Sequence, residues 1–205
     1  MLYYCMEHNK FIIALALLGG LTCLFIGCRG SSDDIPKPKA YLRFDFPPKV
    51  YSTYDTAALP FTFERASEAH CVMKKDLFRD KWVDVLYPTR KGVMFLTYKR
   101  MQGSRELAGQ IDTSYELLKQ HFNYSSGVEE EHFVNPASHV YATTYHLKGN
   151  NVASTFQFYA TDSIHHFLRG SLYLDQTPDN DSLAPLLDYL QQDVVHLIET
   201  LQWRE

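Results

Sequence analysis

Between residues 140 and 175 apolar and polar side chains alternate in three successive runs, 140–147, 152–160 and 167–175. The breaks between them, Lys148-Gly149-Asn150-Asn151 and Thr161-Asp162-Ser163-Ile164-His165-His166, have turn length and turn composition. Alternation at period two marks a half-buried strand, and breaks this short favour antiparallel return. In the second run Val152, Ser154, Phe156 and Phe158 share a face; in the third Leu168, Gly170, Leu172 and Leu174 do. Then the period changes. Leu183, Leu186, Leu187, Leu190, Val194, Leu197, Ile198 and Leu201 form a stripe at helical spacing. Pro178-Asp179-Asn180-Asp181-Ser182 supplies turn and cap residues before it, with Pro185 in the first turn.

The preceding half reads in the same terms. Residues 82–87 and 92–99 are β-rich, and Pro88-Thr89-Arg90-Lys91-Gly92 has turn chemistry, so they predict a hairpin. From Ser104 to about Phe122 a helix is expected, with Leu107, Ile111, Tyr115, Leu118 and Phe122 on one face. Residues 40–46 alternate strictly and read as a strand ended by Pro47-Pro48. Residues 51–69 read as an irregular wrap holding one short strand, 61–64. The order β-β-α-β-β-β-α predicts an α+β fold, a mostly antiparallel sheet packed with two main helices. It is reminiscent of the PsbP/Mog1-like sandwich, an analogy of architecture that implies no function.

The N-terminus is of another kind. Lys10 precedes an apolar run of about 16 residues, 11–26, that closes on Gly27-Cys28. A basic residue, a short apolar core and a small residue form the secretory-signal pattern, and the run is short of the roughly 20 residues of a membrane span. Leu24-Phe25-Ile26-Gly27-Cys28 looks like a lipobox, although its usual Leu position holds Phe25. Residues 1–27 are therefore expected to be a lipoprotein signal peptide, with Cys28 as the acylated residue. Cys23 is a competitor, and an ordinary signal peptide or an uncleaved anchor are the alternatives. Two or three acyl chains, at roughly 0.8 kcal/mol per buried methylene, hold a membrane far better than one. Residues 29–39 are small, polar and Pro-containing and read as a flexible tether, leaving 40–205 as a single domain.

Charge and cysteine usage exclude several classes. The net charge of −4 is mild and spread, with no basic block for nucleic acid. With Cys28 lipidated, Cys71 is the one thiol of the mature chain and has no disulfide partner within it. There is no His-Glu-x-x-His, Gly-x-Ser-x-Gly, phosphate-binding Gly loop or Cys-x-x-Cys. No cofactor and no metal are expected. Asp162, His165 and His166 share one turn, but adjacent histidines on an extended chain diverge and make a poor chelate. Glu129-Glu130-Glu131-His132 reads as a solvated face. Asp179 to Ser182 lacks the Gly and the twelfth-position Glu of a Ca²⁺ loop and reads as a helix cap. His196 and Glu199 read as a local polar pair. Tyrosines on or beside the strands, among them Tyr41, Tyr98, Tyr145 and Tyr173, combine an apolar body with a polar tip suited to interfaces.

Several blocks resemble one family. They are Pro36-Lys37-Pro38-Lys39-Ala40-Tyr41-Leu42-Arg43, Gln157-Phe158-Tyr159-Ala160-Thr161-Asp162-Ser163, His166-Phe167-Leu168-Arg169-Gly170-Ser171-Leu172-Tyr173, Pro178 to Pro185 and Ile198-Glu199-Thr200-Leu201-Gln202-Trp203. In this order they look like the GldD gliding-motility lipoproteins, and the lipobox agrees. The resemblance implies a lipoprotein of the Bacteroidetes-type envelope, associated with gliding and type 9 secretion, and it carries no catalytic residues. The expected function is a non-enzymatic accessory protein, lipid-anchored in the outer membrane by default, acting on other envelope, gliding or secretion proteins. Its candidate partner-binding patch is Asp162, His165, His166, Arg169 and Tyr173. The alternative is a periplasmic ligand-binding protein or hydrolase using Asp162, His165 and His166; a purely structural lipoprotein is the third reading. Cys28→Ala is expected to abolish incorporation of labelled fatty acid, and undiminished labelling would move the anchor to Cys23 or refute it.

Overall fold

The fold is that of a computed structural model, which describes residues 44–74 and 80–204. The chain divides into two units, Met1–Lys39 and Ala40–Glu205, and every described residue lies in the second. Its elements run β1 (Tyr51–Tyr54), β2 (Phe61–Ala66), β3 (His70–Met73), β4 (Lys81–Tyr87), β5 (Gly92–Arg100), α1 (Leu107–Lys119), β6 (Gly127–Asn135), β7 (Val140–Lys148), β8 (Phe156–Thr161), β9 (His166–Leu174), α2 (Asn180–Thr200) and β10 (Gln202–Trp203). Two antiparallel sheets result. One has seven strands in the order β3-β4-β5-β9-β8-β7-β6, the other three in the order β1-β2-β10. This is an α+β sandwich.

Alternation explains the layers. Met94, Leu96 and Tyr98 of β5, Phe156, Phe158 and Ala160 of β8 and Leu168 and Leu172 of β9 meet Phe61 and Phe63 of β2 and the stripe of α2 in the main core. The opposite face of the large sheet carries a smaller cluster, Leu118 of α1 with Tyr145, Leu147 and Val152. Val152 therefore falls outside the run it was expected to share with Phe156 and Phe158, because β8 begins only at Phe156. At the sheet centre Phe158 lies opposite Gly170, and its ring fills the space a Cβ there would need. An aromatic covering a strand glycine recovers packing that the glycine leaves out.

Other expectations are corrected. Of the strand expected over 40–46, residues 40–43 lie outside the described residues and 44–46 form no strand; Phe44 and Phe46 still turn inward as a strap. The region 51–69 is not a single short strand in a wrap: β1 and β2 pair along four residues, and β3 follows. β6 was not expected as a strand. It is the outer strand of the large sheet, with Glu129, Glu130, Glu131 and His132 exposed as predicted, and charge along an edge blocks edge-to-edge association. With both faces wet, no alternation announced it. In α1 the buried positions are Ser114 and Leu118, and Tyr115 is exposed. For α2, Asp179 makes no side-chain cap bond. Instead the 148–151 turn caps it, Asn150 accepting from the backbone N–H of Asn180 (2.9 Å) and of Asp181 (2.8 Å). His196 bonds Glu64 on β2 at 2.7 Å, and its ring stacks on Tyr51.

The helix stripe also contains a carboxylate. Asp193 is 2 % exposed and is ion-paired with Lys49 of the strap, while the Tyr51 hydroxyl donates to it at 3.1 Å. Burial pushes the Asp193 carboxyl up, against the pull of Lys49 and Tyr51. The same ammonium donates to the Tyr189 carbonyl and lies 3.9 Å from the Tyr189 ring centroid; Phe46 stacks on that ring at 4.4 Å. These contacts hold the strap against α2. Removing one partner of a buried pair strands the other charge, at a cost of about 3 kcal/mol or more, whereas apolar replacement of both is close to neutral. Asp193→Ala is thus expected to lower stability by about 3 kcal/mol, and Lys49→Met with Asp193→Leu to regain most of it, read from urea unfolding midpoints.

Candidate functional site

The turn between β8 and β9 is built around one carboxylate. Asp162 Oδ1 accepts from the backbone N–H groups of Ile164 (2.9 Å), His165 (2.8 Å) and His166 (2.8 Å). Ser163 sits at φ 72°, a left-handed conformation that side chains rarely take, and its N–H is received by Thr161 Oγ1 at 2.9 Å. Burial pushes the Asp162 carboxyl up, but the three backbone donors outweigh it and hold the carboxyl below its ordinary value.

The two histidines part company. His165 projects outward, with Nδ1 3.9 Å from Asp162 Oδ2, too far for a hydrogen bond. His166 is buried; its Nδ1 lies 2.9 Å from the Tyr98 hydroxyl, and its ring stacks on Trp203 at 5.0 Å and 11°. Trp203 Nε1 in turn donates to the His139 carbonyl at 3.1 Å. Burial keeps both members of the Tyr98–His166 pair neutral. It lowers the imidazole against the opposing charge of Asp162, and it pushes the phenol up to about 12.

Around this turn lies a groove of about 820 Å³, lined by Arg100, His139, Asp162, Ile164, His165 and Trp203 among others. A second, of about 740 Å³, lies beyond Leu59, Pro60 and Met101 and shares Arg100, His165 and Arg204 with the first. Arg204 is ion-paired with Asp55. Chemically the arrangement is a fixed rim. The Asp162 oxygen that would orient a histidine is occupied by backbone, and the buried imidazole is packed between a phenol and an indole.

The predicted patch is divided by the sheet. Asp162, His165 and His166 come together at the groove. Arg169 and Tyr173 point to the other face, beside α1: Arg169 Nη2 donates to Gln157 Oε1 at 2.6 Å, and the Tyr173 hydroxyl lies 3.3 Å from His121 Nε2. Odd and even positions of one strand face opposite ways, so a block contiguous in sequence cannot form one surface. Sequence reasoning named Tyr98 only as one of several interface-suited tyrosines, and it missed Arg100 and Trp203, which reach the groove from β5 and β10. Among the described residues no group of three His, Cys, Asp or Glu is arranged as metal ligands. Cys71 is a free, half-buried thiol on β3, and burial pushes it up to about 11, away from thiolate reactivity.

The family model for gliding motility lipoprotein GldD matches residues 31–203, a stretch that takes in every strand and helix of the two sheets and their cover. The chain belongs to the GldD family. No curated protein matches it. Membership makes it a gliding-motility-associated lipoprotein of the cell envelope, and among the described residues no helix is long and apolar enough to cross a membrane.

A GldD chain with Asp162→Ala loses the acceptor for three N–H groups. Because this carboxyl's folded value is depressed, its stabilisation is present above the unfolded value of about 4 and is lost as pH falls through the folded one. The variant is expected to be about 1 kcal/mol less stable at pH 7, by analogy with a lost helix cap, and to converge with the parent in acid, measured by denaturant titration at each pH.

Proposed function

We propose that this GldD-family chain is a non-enzymatic accessory protein of gliding and type 9 secretion, held on the outer membrane by acylated Cys28 and working through protein–protein contact at the groove. The observation that carries the reading is the position of the groove relative to the strap. Arg90, in the β4–β5 turn, donates to the Asp45 carbonyl of the strap. Arg100, at the far end of β5, lines the groove. Nine residues of strand separate the two ends, roughly 30 Å at about 3.4 Å per residue. The described strap residues, 44–50, do not line the groove, which stays open to a partner.

The groove suits such a contact. Trp203 and Ile164 offer apolar area, and Arg100, His165 and Arg204 a polar rim, the composition of a protein interface. The rival hydrolase or ligand carrier would need Asp162 and His165 to work together, and the 3.9 Å separation and the saturated Oδ1 favour the docking role.

A photo-crosslinking residue placed at Ile164, which is 49 % exposed, tests this in the intact envelope. An adduct with a defined gliding or secretion protein is expected there and not from Val195 on α2. Equal or absent adducts at both positions, or a substrate turnover lost in His165→Ala, would overturn it.

A further inference from the structure

The sheet face beside α1 has a charge without a counter-charge. On it Thr97 of β5 lies opposite Arg169 of β9, and Trp82 of β4 opposite Thr97. Two ammonium groups on this side already hold carboxylates: Lys74 with Asp84 at 2.7 Å and Lys99 with Asp80 at 3.7 Å. Arg169 holds none among the described residues. Its hydrogen bond goes to the amide oxygen of Gln157, a residue 2 % exposed whose own Nε2 is buried without a partner. A largely buried guanidinium bonded to a neutral amide oxygen stands beside an amide donor that has no acceptor. Both conditions are unfavourable unless an anion completes them.

The surroundings select the kind of anion. Phe95, 37 % exposed, lies 5.6 Å from the Tyr173 ring, and His121 bonds the Tyr173 hydroxyl. Burial and the nearby Arg169 charge hold His121 neutral, so it does not compete as a cation. Lys74 lies over Phe95 at 5.3 Å. An arginine beside an exposed Phe95 and a half-buried Tyr173 has the composition of an interface hot spot, where a carboxylate is met by the fork and its stem by the rings.

We propose that this face is a second docking surface, separate from the groove, and that it takes an aspartate or glutamate side chain of a partner protein on Arg169. The fork of the guanidinium receives the carboxylate, the Gln157 amide oxygen holds the guanidinium in place, and Phe95 and Tyr173 lie beside the bond.

The test uses the full-length chain in the envelope, with a photo-crosslinking residue at Phe95 and the adduct peptide mapped by mass spectrometry. The expected result is an adduct whose partner segment contains Asp or Glu, reduced at least tenfold in Arg169→Gln and partly retained in Arg169→Lys. Arg169→Gln removes an uncompensated charge, so its melting temperature is expected to stay level or rise, which separates lost docking from lost folding. An adduct unchanged in Arg169→Gln, one mapping to lipid or to a segment without a carboxylate, or no adduct at Phe95 would overturn the proposal. The groove is read separately at Ile164, so either surface can fail alone.

Discussion

The pairing of β5 with β9 is the contact on which the other features depend. Nine residues of each strand match, from Gly92 opposite Leu174 to Arg100 opposite His166, and the partners are far apart in the chain. This ladder joins the N-terminal hairpin strands to the C-terminal meander and makes one sheet of seven. It sets Arg100 beside His166, and so creates the groove. It also sets Thr97 beside Arg169 on the other face. Such a contact needs a long loop to close before it is rewarded, which makes a fold of this kind slow to form and its register strongly selected. A slip of one residue would turn Leu168 and Leu172 out of the core and Arg169 into it.

Two cores of unequal weight follow from that sheet. The main one is sealed by α2 and the three-stranded sheet, and its border contains the Lys49–Asp193 pair. The smaller one lies under α1, which covers the sheet only in part. The difference has a functional counterpart. The thick side carries the strap and its clamp. The thinly covered side leaves Arg169, Phe95 and Tyr173 within reach of solvent. A buried ion pair contributes little to net stability but strongly disfavours arrangements in which one charge is left alone; here it fixes where the strap crosses the helix.

Legibility in the sequence tracked how local the cause was. The hairpin β4–β5, strands β7 and β9 and helix α2 were readable because each displays its own period. β6 was not, since an edge strand wet on both faces has no alternation to display. The strap misled in the opposite sense: Phe44 and Phe46 alternate with Asp45 as a strand would, yet they pack on Tyr189 and the main core without pairing. Asp193 could have been noticed. It stands three residues from Leu190 and four from Leu197, inside the stripe, where a lone carboxylate needs a partner. The identity of that partner, Lys49, was not readable, because 144 residues separate them.

By itself the sequence determined the α+β class, the period of most elements and the family, because these rest on neighbouring residues and on motifs in order. It also determined the composition of the 162–173 block. Only the tertiary structure decided what that block does in space. Asp162 and His166 go to the end of the sheet with Trp203, and Arg169 and Tyr173 go to the other face with His121. The physical reason is the pleat: successive side chains of a strand leave on opposite sides, and what they meet there is chosen by strands and helices distant in the chain.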